Sequence, residues 1–396
     1  MIDSKVELTT ARRRLLDWFQ RNARDLPWRK SRDPYRVWVS EIMLQQTQVA
    51  TVIGYFERFM AALPDVRALA AADEQQVLRL WEGLGYYRRA RQLHAAAKQI
   101  VAEHGGEFPT TYDAVRNLPG IGRYTAGAIL SIALDQPQPI VEANTQRLYL
   151  RLTADRGSPA EKATQDRLWA FAESILPRRD AGRFNQALME VGSLVCTPRA
   201  PECAECPLAD HCKSRAAGMQ HEIPTPKRPP KFEDVVEAAV IVRRGDELLV
   251  RQCGPGERWA GLWDFPRFPL VAETDAAVRE ELIAKTAALT GATVEIDEQL
   301  AVIKHGVTRF RITLRCFTAR LVDAEPKATT SATSVSSATS TTSATGSTHS
   351  FATSPPRVPA ASVAIPNATS QKWINRAQLV DLPLSATGRK IADRPW

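Results

Sequence analysis

The chain has 396 residues, 44% of them hydrophobic, which is too long for one ordinary core and suits two globular domains. Its formal net charge of +8 favours a polyanionic partner such as nucleic acid. The amino terminus lacks the apolar run of a signal peptide, and no stretch has the uncharged length of a membrane span. These features argue against a membrane protein, and we expect a soluble, cytoplasmic location, associated with the nucleoid if the chain is bacterial.

The first half of the chain has the sequence pattern of helices. From about residue 8 to 215, apolar residues recur at spacings of three and four between short connectors rich in Pro and Gly, which predicts an all-α region. Within it, Glu41 is surrounded by Trp38, Ile42 and Leu44, and desolvation there would raise the pKa of its carboxyl group. A Glu that is partly protonated near neutral pH suits a general acid, but a Glu paired with an arginine fits this segment equally well.

Two further segments of this half suggest contacts with nucleic acid. The Gly-rich turn at 81–91 places two tyrosines, which can stack on or wedge between bases, next to arginines, of which Arg89 and Arg91 are candidate phosphate contacts. Its alternative is an ordinary helix start with solvated arginines. Gly120 and Gly122 permit a tight turn between predicted helices at 112–117 and 124–134. Backbone N–H groups opening the second helix would bind a phosphate, although a simple Gly-rich connector has the same pattern.

Four of the six cysteines lie in one short segment that contains three prolines and has the spacing C-x6-C-x2-C-x5-C: Cys196, Cys203, Cys206 and Cys212. Structural zinc usually uses two close pairs, whereas only one C-x2-C is present, so a four-iron cluster is the better fit. Cys253 and Cys316 stand alone in apolar, strand-like runs and are predicted to be inert core residues.

The second half of the chain predicts a smaller domain after a Pro- and Lys-rich linker at 216–232. Strands are predicted within 235–242, 247–251 and 309–317, with a helix near 276–290, which indicates an α+β domain formed by 233–325 and 371–396. Residues 326–370 are mostly Ser, Thr, Ala and Pro. Such a composition buries too little apolar surface to offset the entropy of ordering, so we predict a disordered insertion.

Several motifs together resemble those of the MutY family of DNA glycosylases, within the endonuclease III and helix-hairpin-helix superfamily. They are S-E-x-M-L-Q-Q-T-Q-V at 40–49, G-L-G-Y-Y at 83–87, L-P-G-I-G-R-Y-T-A at 118–126 and the spacing of the four cysteines. The resemblance implies a monomeric DNA repair enzyme that flips adenine out of double-stranded DNA, where it is mispaired with 8-oxoguanine or guanine, and hydrolyses its glycosidic bond. It also implies a [4Fe-4S] cluster with a structural or sensing role.

The resemblance implies roles for individual residues as well. Glu41 would be the catalytic acid, and Glu142 would stabilise the positive sugar, as the second carboxylate does in glycoside hydrolysis. Asn144 would orient these groups. Relatives that also cut the strand carry lysine at the position of Tyr124, so tyrosine there indicates a monofunctional enzyme that activates water. Four residues would contact the base opposite the adenine: Gln46, Thr47, Leu84 and Tyr86.

The segment around Glu142 departs from the family pattern P-x-x-D-G-N-x-x-R. Here Glu142 replaces the usual Asp, and Ala143 replaces the Gly that follows it. The negative charge is kept and the reach of the side chain is longer. A capping or ion-paired role near Arg147 is the alternative.

The second domain resembles the NUDIX-like carboxy-terminal domain of MutY, because 259–266 reads W-A-G-L-W-D-F-P. The segment 279–281 lacks the remaining carboxylates of the nucleotide-hydrolase box, so a recognition domain is expected rather than a pyrophosphatase. Of the lesion-reading loop of the relatives, only Thr308 carries over to this sequence.

We therefore predict a multidomain protein, with an all-α helix-hairpin-helix glycosylase region at 1–215 followed by an α+β NUDIX-like domain. The first region would contain a six-helix barrel at about 30–135 and a cluster domain formed by 1–29 and 136–215. Two alternatives stay open. One is a thymine or pyrimidine mismatch glycosylase of the same superfamily, and the other is a lesion-binding protein that has lost activity, if Glu142 cannot do the work of Asp.

Overall fold

The computed structural model describes residues 5–225, 231–322 and 370–395. The chain falls into two compact units, Met1–Lys231 with Val380–Ala386, and Phe232–Leu379 with Thr387–Trp396. The predicted insertion lies outside the described residues except for its last position, and so does 226–230 of the predicted linker. The C-terminal tail, which we predicted to join the second domain as a whole, is divided between the two units.

The described part of the first unit is helical, as the apolar spacing predicts. Short 3-10 turns lie at Pro27–Arg29 and Ala209–His211. None of the described helices is long and apolar enough to cross a bilayer. The helices of this unit are α1 (Lys5–Asn22), α2 (Pro34–Leu44), α3 (Val49–Ala62), α4 (Val66–Ala71), α5 (Glu74–Leu80), α6 (Arg88–His104), α7 (Tyr112–Arg116), α8 (Arg123–Leu134), α9 (Ala143–Thr153), α10 (Lys162–Ile175), α11 (Ala181–Leu194) and α12 (Lys213–Ala216).

Helix α2 begins where the sequence gives a strong start signal. The Asp33 side chain accepts a hydrogen bond from the backbone N–H of Tyr35 at 2.9 Å, and Pro34 occupies the first helical position. Nearly the whole helix is buried, from Tyr35 to Met43, and it packs against α3, α6 and α8. Glu41 is consequently held on a rigid, buried element.

One hydrophobic core joins α1 to α9, α10, α11 and the cysteine segment. It contains Leu15 and Phe19 of α1, Leu148 of α9 and Leu188 of α11, together with Cys196. Burial of a large apolar side chain stabilises the fold by roughly 1.5–3 kcal/mol. The N-terminal helix thus closes over a part of the chain that is distant from it in sequence.

The second unit is built on a mixed sheet of seven strands within the described residues, ordered β3-β2-β1-β6-β5, with β4 beside β1 and β7 beside β2. The β1 and β6 strands run parallel, and the other pairs are antiparallel. Helix α13 packs on the sheet, and α14 follows the last strand. Their bounds are β1 (Glu233–Arg244), β2 (Glu247–Gln252), β3 (Trp263–Asp264), β4 (Arg267–Pro269), α13 (Asp275–Thr290), β5 (Val294–Val307), β6 (Phe310–Leu321), β7 (Gln371–Asn375) and α14 (Ala386–Ala392).

The predicted strands and the predicted helix of this domain are confirmed by β1, β2, β6 and α13, but the sequence did not predict β5. The register of β5 against β6 shifts between Ile296 and Gln299 and again between Gln299 and Ala301. These bulges interrupt the alternation of apolar and polar residues, which was the signal used to find strands.

Candidate active site

A cavity of about 490 Å³ lies in the first unit and is lined by residues of α2, α8, α9 and α11. Six of the predicted site residues line it: Glu41, Gln46, Thr47, Tyr124, Glu142 and Asn144. The fold therefore brings together all four residues predicted to be catalytic, from α2 and from the much later helices α8 and α9, with two of those predicted to contact the opposite base.

Glu41 and Tyr124 form a hydrogen-bonded pair in this cavity. The Tyr124 hydroxyl donates to Glu41 Oε2 at 2.6 Å and also lies 3.4 Å from Met189 Sδ. Burial raises the pKa of Glu41 to about 7, the bond from Tyr124 lowers it in part, and the nearby charge of Glu142 raises it. Burial also holds the pKa of Tyr124 well above its usual range, so its hydroxyl stays a donor. Glu41 can therefore hold or release a proton near neutral pH.

Glu142 lines the same cavity and is the N-cap of α9. Its two carboxylate oxygens accept hydrogen bonds from the backbone N–H groups of Asn144 and Thr145, each at 2.8 Å, and its own N–H donates to the Thr145 hydroxyl at 2.8 Å. Burial raises the pKa of Glu142, and these N–H bonds oppose the rise. The capping role and the predicted catalytic role of Glu142 are thus compatible, because the hydrogen bonds of the cap hold the carboxylate at the cavity wall.

Asn144 is fixed by contacts with α11 and the segment that follows it. Its Oδ1 accepts from Arg147 Nη2 at 3.0 Å, and the same guanidinium donates to the carbonyls of Gly192 and Cys196. A Cβ at Gly192 would lie 2.8 Å from the Cβ of Asn144, so only glycine permits this approach of the two helices.

A charged cluster at the cavity wall was not predicted from the sequence. Glu190 on α11 has no exposed surface, and its carboxylate accepts hydrogen bonds from the guanidinium groups of Arg24 and Arg29 at 2.7–3.1 Å. These bonds lower the pKa of Glu190 to about 2 in spite of the burial, which by itself would raise it. Glu190 lies among buried apolar residues of its helix, as Glu41 does, and this signal could have marked Glu190 but not its distant partners, Arg24 and Arg29.

The glycine turn precedes α8 as predicted. Gly120 has a φ of +79°, and Gly122 is the N-cap of α8, where no side chain caps the helix. A Cβ at Gly120 would lie 2.9 Å from Gln92 Cβ. The first N–H groups of a helix of 12 residues are thus left without a side-chain cap at the turn that also starts the segment carrying Tyr124.

The segment 81–91 differs from its prediction in the placement of two side chains. Tyr86 is 52% exposed, as a base-contacting residue requires, but Leu84 is buried. Arg89, predicted to contact phosphate, is also buried, and its guanidinium faces backbone carbonyls instead of solvent. Arg91 is half-buried on α6. The spacing of three neighbouring arginines did not reveal which one the helix turns inward.

The four clustered cysteines line one small cavity, together with Leu148 and Arg151. Burial raises the pKa of Cys206 to about 12 and also raises the pKa of Cys212. The buried guanidinium of Arg151 donates to Cys196 Sγ at 3.3 Å, which suits a sulfur that carries negative charge. No group of three or more His, Cys, Asp or Glu among the described residues is placed to hold a single metal ion. Four thiols around a shared space are the donor set that an iron-sulfur cluster requires.

Thr308 lies in the second unit, in the two-residue turn between β5 and β6. Its φ is +53°, and it is exposed. The ring of Phe310 lies 5.0 Å from the Arg309 guanidinium carbon. Thr308 thus occupies the tip of a hairpin, where its side chain is accessible.

Models of three protein families match the chain. Residues 39–174 match the HhH-GPD superfamily of base excision DNA repair proteins, 196–212 match the iron-sulfur binding domain of endonuclease III, and 237–394 match the NUDIX domain. These matches confirm the predicted fold class, a helical helix-hairpin-helix region followed by a NUDIX-like domain. The cofactor of the cysteine segment is a [4Fe-4S] cluster.

Curated relatives carry the name adenine DNA glycosylase. The protein of Rattus norvegicus is 41% identical over 270 residues, which are 66% of this chain and 52% of the relative. That of Buchnera aphidicola subsp. Schizaphis graminum is 37% identical over 261 residues, which are 66% of this chain and 75% of the relative. A solved structure of a thermostable thymine-DNA glycosylase is 27% identical, with a TM-score of 0.49 over 53% of this chain and 97% of that one. The chain spans about half the length of its mammalian relatives. It belongs to the adenine DNA glycosylase family.

Proposed function

We propose that this protein excises adenine from double-stranded DNA in which the adenine is mispaired with 8-oxoguanine or guanine. The names of the relatives support the reaction class. The observation that carries the proposal is the buried Glu41, whose pKa near 7 and hydrogen bond to Tyr124 give it the properties of a proton donor at neutral pH.

The proposed reaction is hydrolysis with protonation of the leaving base. Glu41 gives its proton to N7 of the flipped adenine, and the bond between N9 and the sugar carbon C1′ breaks with its electron pair leaving on the base. A water molecule then adds to C1′ and gives a proton to the Glu41 carboxylate, which restores the acid. Tyr124 keeps the acceptor oxygen of Glu41 in place, so the proton is held on the other oxygen.

Glu142 is the proposed stabiliser of the positive charge that develops on the sugar. Its orientation is fixed by two backbone N–H bonds, so no rearrangement is needed as the charge appears. Burial raises the pKa of Glu142, and these bonds oppose that effect and so favour the ionised carboxylate that the role requires. We propose that Asn144, held by Arg147, positions this part of the site.

The Arg24 and Arg29 guanidinium groups are suited to bind the base itself, because guanidinium groups donate to ring nitrogens, which adenine presents as acceptors. Glu190 has no exposed surface and its oxygens accept from both arginines, so its proposed role is to hold the two guanidinium groups in place. Both kinds of group lie at the wall of the cavity that holds Glu41. The cluster is held rigid by its internal ion pairs, so it is preorganised for the base.

Other parts of the chain would position the DNA and the cofactor. The uncapped start of α8 is the proposed phosphate site, with Gly120 and Gly122 allowing close approach. Gln46, Thr47 and Tyr86 would contact the opposite base. In the second unit, Thr308 is a proposed contact to DNA. The cluster would be held by the four cysteines already described, where it would order the loop that carries them.

The proposed enzyme leaves the DNA strand uncut. A strand-cutting lyase needs an amine that attacks C1′, and none of the described residues lining the cavity is a lysine. The position that would present it, at the start of α8, holds Tyr124 instead.

A single-turnover assay on a panel of duplexes tests the proposal. The duplexes carry adenine opposite 8-oxoguanine, guanine or thymine, and thymine opposite guanine. Release of free adenine from the first two, with an intact strand, is the expected result. Release of thymine would favour the pyrimidine mismatch glycosylase, and tight binding of every mispair without release would favour a lesion-binding protein.

A further inference from the structure

Arg89 joins two loops that are about forty residues apart in the chain. Its Nη1 donates to three carbonyls at the end of α2, and its Nη2 donates to groups in both loops. The acceptors and distances are the carbonyls of Ile42 (2.8 Å), Met43 (3.0 Å) and Gln45 (2.6 Å) for Nη1, and the carbonyls of Leu84 (3.1 Å) and Gly85 (3.3 Å) and the Thr47 hydroxyl (3.4 Å) for Nη2.

Each of these loops carries an exposed residue in the left-handed backbone region. Gln46 has a φ of +58° and Tyr86 a φ of +47°. A residue other than glycine is strained in this region and persists there only where its surroundings fix it. The acceptors of Arg89 lie directly beside both residues in sequence, so its hydrogen bonds can fix both.

The surroundings of Arg89 favour a fixed guanidinium. The guanidinium carbon lies 5.4 Å from the centre of the Trp81 ring and 5.6 Å from the centre of the Tyr86 ring. Only 8% of the residue is exposed. Burial lowers the pKa of Arg89 to about 10, which leaves it charged at neutral pH. A buried cation needs many acceptors, and carbonyls at the end of a helix carry partial negative charge.

We propose that Arg89 is a positioning residue that holds Gln46 and Tyr86 together as one preformed surface for the base opposite the adenine. The inference rests on the proposed function, in that these two residues contact that base. This role replaces the phosphate contact that the sequence predicted for Arg89, because the guanidinium donates to carbonyls of the protein's own backbone. Glu41 lies on α2 just before the first loop. The hydrogen bonds of Arg89 to the two loops, called here the Arg89 clasp, therefore also connect the surface for the opposite base to the helix that carries Glu41.

Lysine cannot take this place. The guanidinium is planar and presents donors in two directions at once, so it bridges two loops, whereas an ammonium group is a single point of charge. Arg89→Lys therefore tests the bridging geometry with the charge retained, and Arg89→Met removes the charge and the donors with the length retained. The matched control is Arg88→Met, since Arg88 is the exposed neighbour on the same helix.

Amide hydrogen exchange on the full chain tests the Arg89 clasp by a measurement that does not depend on catalytic activity. Both Arg89 variants are expected to exchange at least about tenfold faster than wild type at 43–47 and 84–87, while α1 is unchanged. Arg88→Met is expected to match wild type throughout. Retention of the visible absorbance of the cluster and of the far-UV circular dichroism shows that each variant is folded. Unchanged exchange at the two loops in folded Arg89→Lys would overturn the proposal.

The kinetics of adenine excision then test whether the Arg89 clasp affects discrimination between bases opposite the adenine. The ratio of single-turnover rates opposite 8-oxoguanine and guanine is expected to fall about 10-fold to 10²-fold in Arg89→Lys, because misplacement by about 1 Å has effects of this size. Arg88→Met is expected to weaken binding to all duplexes alike and leave the ratio unchanged. In Tyr86→Ala with Arg89→Lys, the ratio should fall no further than in the more affected single variant. Independent, additive losses would overturn the proposal. Absence of adenine release by the wild type would instead reject the proposed function, with the exchange result unaffected.

Discussion

The Tyr124 hydroxyl donates a hydrogen bond to Glu41 Oε2 at 2.6 Å and so joins the first turn of α8 to the buried face of α2. Burial raises the pKa of Glu41, whereas this bond lowers it. The two effects together leave the pKa of Glu41 at about 7, so that both its protonated and its ionised form are populated near neutral pH.

The pH dependence of excision should report this balance. A proton donor with a pKa near 7 loses its active form as pH rises through 7, so the single-turnover rate should fall about tenfold per pH unit above that value. Tyr124→Phe removes the bond that lowers the pKa of Glu41, and the alkaline limb should therefore shift to higher pH. A rate profile of the variant on adenine opposite 8-oxoguanine checks the shift. A limb that moves to lower pH would show that Tyr124 acts in another way.

Glu142 combines a helix cap with a charge, and two variants separate these roles. Glu142→Gln removes the charge and should lower the single-turnover rate by about 10², the size expected for one preorganised electrostatic group. Thr145→Ala removes the hydroxyl that completes the capping box and should cost about 1 kcal/mol of stability, with a much smaller effect on rate. Glu142→Asp should keep substantial activity. Equal losses of rate in the Gln and Thr145 variants would assign Glu142 to the cap alone.

The identity of residue 124 should decide whether the sugar is trapped covalently. Wild type should give little covalent complex when borohydride is added during turnover, because a phenol forms no Schiff base. Tyr124→Lys should give more, since an amine would then lie at the cavity wall. Electrophoresis of the denatured complex measures the trapped fraction. Efficient trapping by wild type would require a nucleophilic lysine elsewhere and would contradict an uncut strand.

The cysteine segment gives a prediction about the cofactor. The purified protein should be brown, with broad absorbance near 400 nm and about four iron atoms per chain. Cys203→Ser should lose colour, iron and solubility, while Cys253→Ser should keep the colour, because Cys253 lies in the second unit. A colourless wild type with stoichiometric zinc would contradict the cluster.

Part of the candidate site has local signals in the sequence. Glu41 was singled out by its apolar neighbours together with the Q-Q-T-Q-V run that follows it, and the turn before α8 by two glycines within L-P-G-I-G-R-Y-T-A. Glu190 was missed because its partners, Arg24 and Arg29, are over 160 residues away along the chain. The inward orientation of Arg89 could not be predicted either, because the sequence does not show which of the three nearby arginines tertiary packing directs into the protein.

In the second unit, the strands with clean alternation were predicted, and the bulged β5 was not. The pairing that defines the sheet is equally non-local: β1 and β6 run parallel, which requires the intervening strands and α13 to cross over between them. A periodicity along one segment contains no information about such a partner.

The most direct test of the account is adenine release by Glu41→Gln under single-turnover conditions at pH 7, on a duplex with adenine opposite 8-oxoguanine. The amide keeps the shape of the side chain but has no proton to give, so the rate should fall by at least about 10² while the variant still binds the duplex. Glu74→Gln, an exposed residue at the start of α5, serves as the control and should match wild type. Release of adenine by Glu41→Gln at the wild-type rate would remove Glu41 from the mechanism and contradict the account.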